Sequence, residues 1–122
     1  MSNEGASMQK KQRLLVMNGH CLVQSEQGDK WMTDKVEKAK SLKPGLYNIY
    51  LATPADKSKT HDGLILRADQ DHVYQQVAKV FIRHERADFE AVPDVGCQAS
   101  IQYANGRAVA APLSAKLRQV LA

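Results

Sequence analysis

The sequence predicts an α+β domain: a small curved antiparallel sheet or barrel-like β core, one central helix and a C-terminal helix. Three observations predict it. Asn18-Gly19 and Asn105-Gly106 each stand between short apolar runs, and Asn-Gly supplies the two positive φ angles of a type I′ hairpin turn. The apolar spacing becomes helical after Thr33, and a last amphipathic stretch follows Pro112.

Residues 1–9 are polar and read as a disordered tail. The run Arg13-Leu14-Leu15-Val16-Met17 is a strand, Asn18-Gly19 its turn and Cys21 to Gln24 the return. Gln27-Gly28-Asp29 turns the chain again into Trp31. From Thr33, a candidate N-cap, Val36, Ala39 and Leu42 recur at helical spacing, with Asp34 and Lys38 as an i, i+4 pair on the wet face. Lys43-Pro44-Gly45 stops that helix. Leu46 to Leu51 is an aromatic and aliphatic strand, with Tyr47, Ile49 and Leu51 on one face.

Thr53 to Asp62 lacks large apolar side chains and reads as the longest exposed loop. Strands follow at Gly63 to Leu66, His72 to Gln76 and Lys79 to Arg83, with one helical turn at 87–92 anchored by Phe89. Pro93 to Gly96 turns into a strand of alternating Ala99, Ile101 and Tyr103, and Asn105-Gly106 leads to Arg107 to Ala110. Pro112 opens a helix over 112–122 with Leu113, Leu117, Val120 and Leu121 on one face. So short a helix is marginal alone, so its stripe must dock on its own sheet, a second copy or a partner. Those four residues are the candidate partner-binding set. The organisation is one domain over 10–111 followed by that helix. A shift of about 51 residues overlays 13–52 on 64–104 and offers an internal duplication, against the plainer reading that hairpin units share a rhythm.

The 122 residues allow one modest core, and the 43% apolar and 25% charged fractions are those of a globular chain. No apolar run is long enough to span a bilayer, and residues 1–12 lack the apolar stretch of a signal peptide, so the chain is expected in the cytoplasm. Cys21 and Cys97 show no CxxC spacing and read as reduced, half-buried apolar residues.

No chemistry is legible. His20, His61, His72 and His84 form no HxxxH pair, and no GxSxG elbow, Walker loop or GxGxxG occurs. The cluster His84, Glu85, Arg86 and Asp88 is the polar end of a strand rather than an acid–base set. No catalytic residue, metal ligand or cofactor is expected. The net charge of +4 permits weak attraction to polyanions. Lys35, Lys38, Lys43, Arg83 and Arg107 are the candidate nucleic-acid contacts of a small-barrel binding module.

Tyr74-Gln75-Gln76, Phe81-Ile82-Arg83-His84, Val95-Gly96, Ser100-Ile101-Gln102-Tyr103 and Asn105-Gly106-Arg107-Ala108 together resemble the KfrB domain of conjugative-plasmid accessory proteins. Leu42 to Tyr50 resembles the N-terminal half of stand-alone members, so the likeness covers roughly residues 12 to 111. The resemblance implies a non-enzymatic protein of plasmid maintenance or conjugative transfer. It also implies a plasmid-encoded protein partner, a DNA-binding coiled-coil repressor from the same operon being the expected one. A homodimer and weak nucleic-acid binding stay open beside it, and no membrane role is expected.

Overall fold

A computed structural model describes residues 11–40 and 42–112. They fall into two compact units, the first ending at Leu51 and the second beginning at Ala52.

The first unit is a four-stranded antiparallel sheet of β1 (Gln12–Met17), β2 (His20–Gln27), β3 (Lys30–Lys38) and β4 (Gly45–Tyr47), in the order β3-β2-β1-β4. Asn18 and Gly19 take φ of 51° and 76°, the type I′ pattern, and set Met17 opposite His20. That register gathers Leu14, Val16, Cys21 and Val23 on one face, all buried. Ala39, Leu42 and Ile49 are the other buried apolar residues of this unit, Ile49 lying in a short 3-10 helix, Ile49–Leu51.

The expected central helix is not there. Thr33, Asp34, Val36 and Lys38 belong to β3, which pairs along its length with β2. Helical spacing is a weak signal that pairing with a neighbouring strand overrides, and the first residue of the stripe, Val36, is 57% exposed. The turn at Gly28-Asp29 closes a long hairpin that satisfies the backbone of this polar segment. Ala39 and Leu42 lie beyond the strand in a turn where the Leu42 N–H donates to the Ala39 carbonyl at 3.0 Å, and both are buried.

The second unit contains β5 (Thr53–Pro54), β6 (His61–Ala68), β7 (His72–Val77), β8 (Val80–Glu85), β9 (Gln98–Ala104) and β10 (Arg107–Pro112). The sheet order is β10-β9-β6-β7-β8-β5, antiparallel except for the parallel β5–β8 contact. Its core joins Ile65, Val73, Phe89, Ala99, Ile101 and Ala108. The expected loop at 53–62 thus gives its ends to the sheet, and His61 is buried as the first residue of β6. Phe89 is buried as expected, but it is extended and bridges Ala108 after a 3-10 turn, Arg86–Asp88.

Gly63 is required where it stands: a Cβ there would lie 2.0 Å from the Gln76 carbonyl oxygen. Two residues on, the β6–β7 register slips between Ile65 and Arg67, a bulge that lets the consecutive Ile65 and Leu66 both be buried. The β7–β8 turn places Ala78, a non-glycine residue, at φ 56°.

Both units use one strand order, third-second-first-fourth: β3-β2-β1-β4 in the first and β8-β7-β6-β9 in the second. Among the described residues there is no α-helix, only the two 3-10 turns. The α+β expectation is therefore corrected to an all-β fold over the described residues. Pro112, expected to open a helix, ends β10 opposite Ala99. The sheet ladder holds it, and proline is tolerated on an edge strand. The stripe Leu113, Leu117, Val120 and Leu121 and the tail 1–9 lie outside the described residues.

Candidate functional site

Alternation along β6, β7, β8 and β9 puts His61, Gln75, His84 and Tyr103 on the core face of the second sheet. Gln75 and His84 are fully buried. The Gln75 Nε2 donates towards three carbonyls, His61 and Ala99 at 3.0 Å and Gly63 at 3.3 Å. Carbonyls only accept, so the amide nitrogen faces them and Oε1 must accept from His84 Nε2, 2.8 Å away. His84 Nδ1 is then left as an acceptor, and the Tyr103 hydroxyl donates to it at 2.7 Å. The chain of donors fixes the neutral Nε2–H tautomer.

Burial, and next the neighbouring His61, push the His84 pKa down to about 4. Burial, and next the charges of Asp88 and Glu85, push the Tyr103 hydroxyl up to about 12. The His61 Nε2 donates to the Asp56 carbonyl at 2.9 Å, and its ring meets His84 edge-on at 5.3 Å. Lys57 pairs with Asp88 at 3.1 Å. Both His84 nitrogens and the Gln75 amide are consumed inside the sheet, so this network orders the core and offers no free base to a substrate. The charged cluster after β8 disperses accordingly. His84 points inward, Glu85 pairs with His72 at 3.4 Å, and Arg86 donates to the Asp69 carbonyl at 2.6 Å. Among the described residues no three His, Cys, Asp or Glu side chains converge as a metal site. Cys21 and Cys97 are not joined in a disulfide, and Cys21 is buried while Cys97 is half-buried. No helix among them is long and apolar enough to cross a membrane.

The first unit presents a different surface. On the sheet face opposite Leu14 and Val16, Leu46, Leu15, Leu22 and Val36 stand in register across all four strands. At about 4.8 Å per strand this aliphatic row spans roughly 14 Å. Its ends are open, Leu46 at 49% and Val36 at 57% exposure. The next row along the strands is polar: Arg13 Nε donates to Gln24 Oε1 at 2.8 Å, and Gln24 Nε2 donates to Thr33 Oγ1 at 3.1 Å. Beyond it the Arg13 guanidinium lies 4.2 Å from the centroid of the Trp31 ring. Trp31 meets Tyr50 at 5.9 Å, and Lys11 Nζ stands 5.3 Å from the Tyr50 ring. Two cations and two rings thus alternate at one end of the face.

The five expected basic contacts do not form one patch. Lys35 and Lys38 project to opposite faces of β3, and Lys35 pairs with Glu37 at 3.9 Å. Lys43 is exposed, and its carbonyl accepts the Tyr47 hydroxyl at 2.7 Å. Arg83 and Arg107 belong to the second unit. Arg83 is half-buried in β8, while Arg107 is exposed beside a cavity of about 220 Å³ shared with Glu90, Ala91 and Val109. Sequence reasoning missed Lys11, Arg13 and Trp31. The signal was alternation: Arg13 shares the parity of Leu15, which a strand reading already places on one face.

Over the described residues, the fold and these surfaces define an all-β protein with a buried Gln75–His84–Tyr103 hydrogen-bond network in its second unit and an open sheet face in its first. A family model described as KfrB Domain matches residues 60–112, the sheet that carries the Gln75–His84–Tyr103 network. Protein TraB of Escherichia coli is 32% identical over 98 residues, which is 78% of this chain and 67% of that protein. The chain belongs to the KfrB family and is plasmid-associated.

Proposed function

We propose that this chain is a non-enzymatic accessory protein of plasmid maintenance or conjugative transfer that works by holding a protein partner. The observation that carries the reading is the row Leu46, Leu15, Leu22 and Val36, apolar across four strands and open at both ends. Contiguous exposed apolar surface of this kind marks interaction sites rather than ordinary surface. The network around His84 supports the same reading, because both nitrogens of this buried histidine are taken up within the sheet. The family resemblance supplies the expected partner, a plasmid-encoded DNA-binding coiled-coil repressor of the same operon.

The test is affinity capture of the products of the neighbouring plasmid genes by the tagged chain. Val36→Asp and Leu46→Asp should keep the parent melting temperature, since both side chains are exposed, and lose the captured protein. Unchanged capture by both variants would refute the reading.

A further inference from the structure

We infer that the Arg13, Trp31, Tyr50 and Lys11 cluster of the first unit is a binding site for single-stranded nucleic acid. The inference is independent of the partner reading above, because it uses other residues and a different readout.

Three features point to this occupant. The rings of Trp31 and Tyr50 sit 5.9 Å apart on one face, and Tyr50 is 38% exposed. Trp31 is half-buried and Tyr50 is the exposed ring of the pair, and an exposed ring accepts unpaired bases by stacking whatever the sequence, since every base has a π-face. The two cations already against the rings, Arg13 and Lys11, supply phosphate contacts within reach of the stacked base. Arg13 is also held. Its Nε is bonded to Gln24, which is itself buried and bonded to Thr33, so a ladder across three strands fixes the plane of one surface guanidinium. Its terminal nitrogens take no side-chain partner among the described residues, and the residue is half-buried, so part of the guanidinium remains accessible. A surface cation resting on a ring for packing alone would not need that ladder.

The opposing charge is Glu26, which stands opposite Trp31 in the β2–β3 register. One carboxylate against two cations limits the site to modest affinity. A duplex is disfavoured because its base faces are already stacked and cannot meet the rings. A second copy of the chain is disfavoured too, since it would set Lys11 and Arg13 against the same cations.

The sequence holds one tryptophan, so Trp31 fluorescence reports on this site alone. The probe is an oligothymidylate of about fifteen nucleotides, enough to cover one small sheet. The expected result is saturable quenching at low salt. Two phosphate contacts on a single strand predict a slope of log K against log salt of about −1.4. Tyr50→Ala should bind roughly ten-fold more weakly, while Tyr50→Phe, which keeps the ring, should match the parent. Arg13→Ala should weaken binding and reduce the slope by about 0.7. Arg107→Ala, in the second unit, should change nothing. The inference is overturned if no quenching occurs at tens of micromolar strands. Equal quenching by a duplex or by heparin, a polyanion without bases, would also overturn it. So would Tyr50→Ala binding as the parent does, and a cluster that responds only to a captured protein partner would belong to that partner instead.

Discussion

Tyr103 donates its hydroxyl hydrogen to His84 Nδ1 across 2.7 Å, from β9 to β8, with two strands of the sheet between them. This bond exists in the form described only while His84 is neutral, and acid will find it. The folded His84 pKa is about 4, below the ordinary 6.5, so the unfolded chain takes up the proton first. Stability from this group is therefore complete above pH 6.5 and is lost as pH falls towards 4. The shift corresponds to about 3 kcal/mol. Thermal melts between pH 7.5 and 4.5 should show a steady fall that His84→Leu flattens. An unchanged pH profile in His84→Leu would show that another group governs it.

Gln75→Leu should be among the most damaging single substitutions in the second unit. It leaves three carbonyls and the His84 Nε2–H without their partner in a buried site. The expected loss is about 3 kcal/mol or more, read from denaturant midpoints. A loss below about 1 kcal/mol would mean the carbonyls find other donors.

Gly63→Ala tests the close approach of β6 to β7. The added methyl would meet the Gln76 carbonyl oxygen, a backbone atom that cannot swing away. A loss of about 3 kcal/mol is expected, with a clear drop in melting temperature. A variant as stable as the parent would show that the two strands separate freely at this point.

Ala78→Gly should act in the opposite direction. Ala78 is held at φ 56° in the β7–β8 turn, a conformation that costs an L-residue with a Cβ about 1–2 kcal/mol. Glycine removes that cost and gives back part of it as unfolded-chain entropy, leaving a net gain below about 1 kcal/mol. A lower melting temperature would place the strain elsewhere.

The hairpins were readable because their turns carry their own chemistry. Asn18-Gly19 and Asn105-Gly106 fix both register and face, and Leu14, Val16 and Ile101 are buried where alternation puts them. The β7–β8 turn was not readable, since Ala78-Lys79 has no turn signature and is imposed by the pairing of its strands. Segment 30–42 misled for a related reason. Its apolar residues are spaced by three, yet its backbone is satisfied by β2, a partner the local pattern does not contain. The Gln75–His84–Tyr103 network joins three strands, and each residue alone reads as ordinary strand polarity. The aromatic–cation cluster was hidden in the same way, with Arg13, Trp31 and Tyr50 on three separate elements.

The outermost strands of the two sheets share a property that bears on crowding. A bare strand edge recruits other chains and seeds aggregates. Here β3 carries Lys30, Asp34, Lys35, Glu37 and Lys38 along its length. At the other margin β4 is only three residues long and follows Pro44. In the second sheet β5 ends on Pro54 and β10 on Pro112, each lacking the N–H that a further strand would need. Three of the chain's four prolines are thus spent on sheet margins. The molecule is built to resist growing sideways into a ribbon, so high local concentration should leave it dispersed.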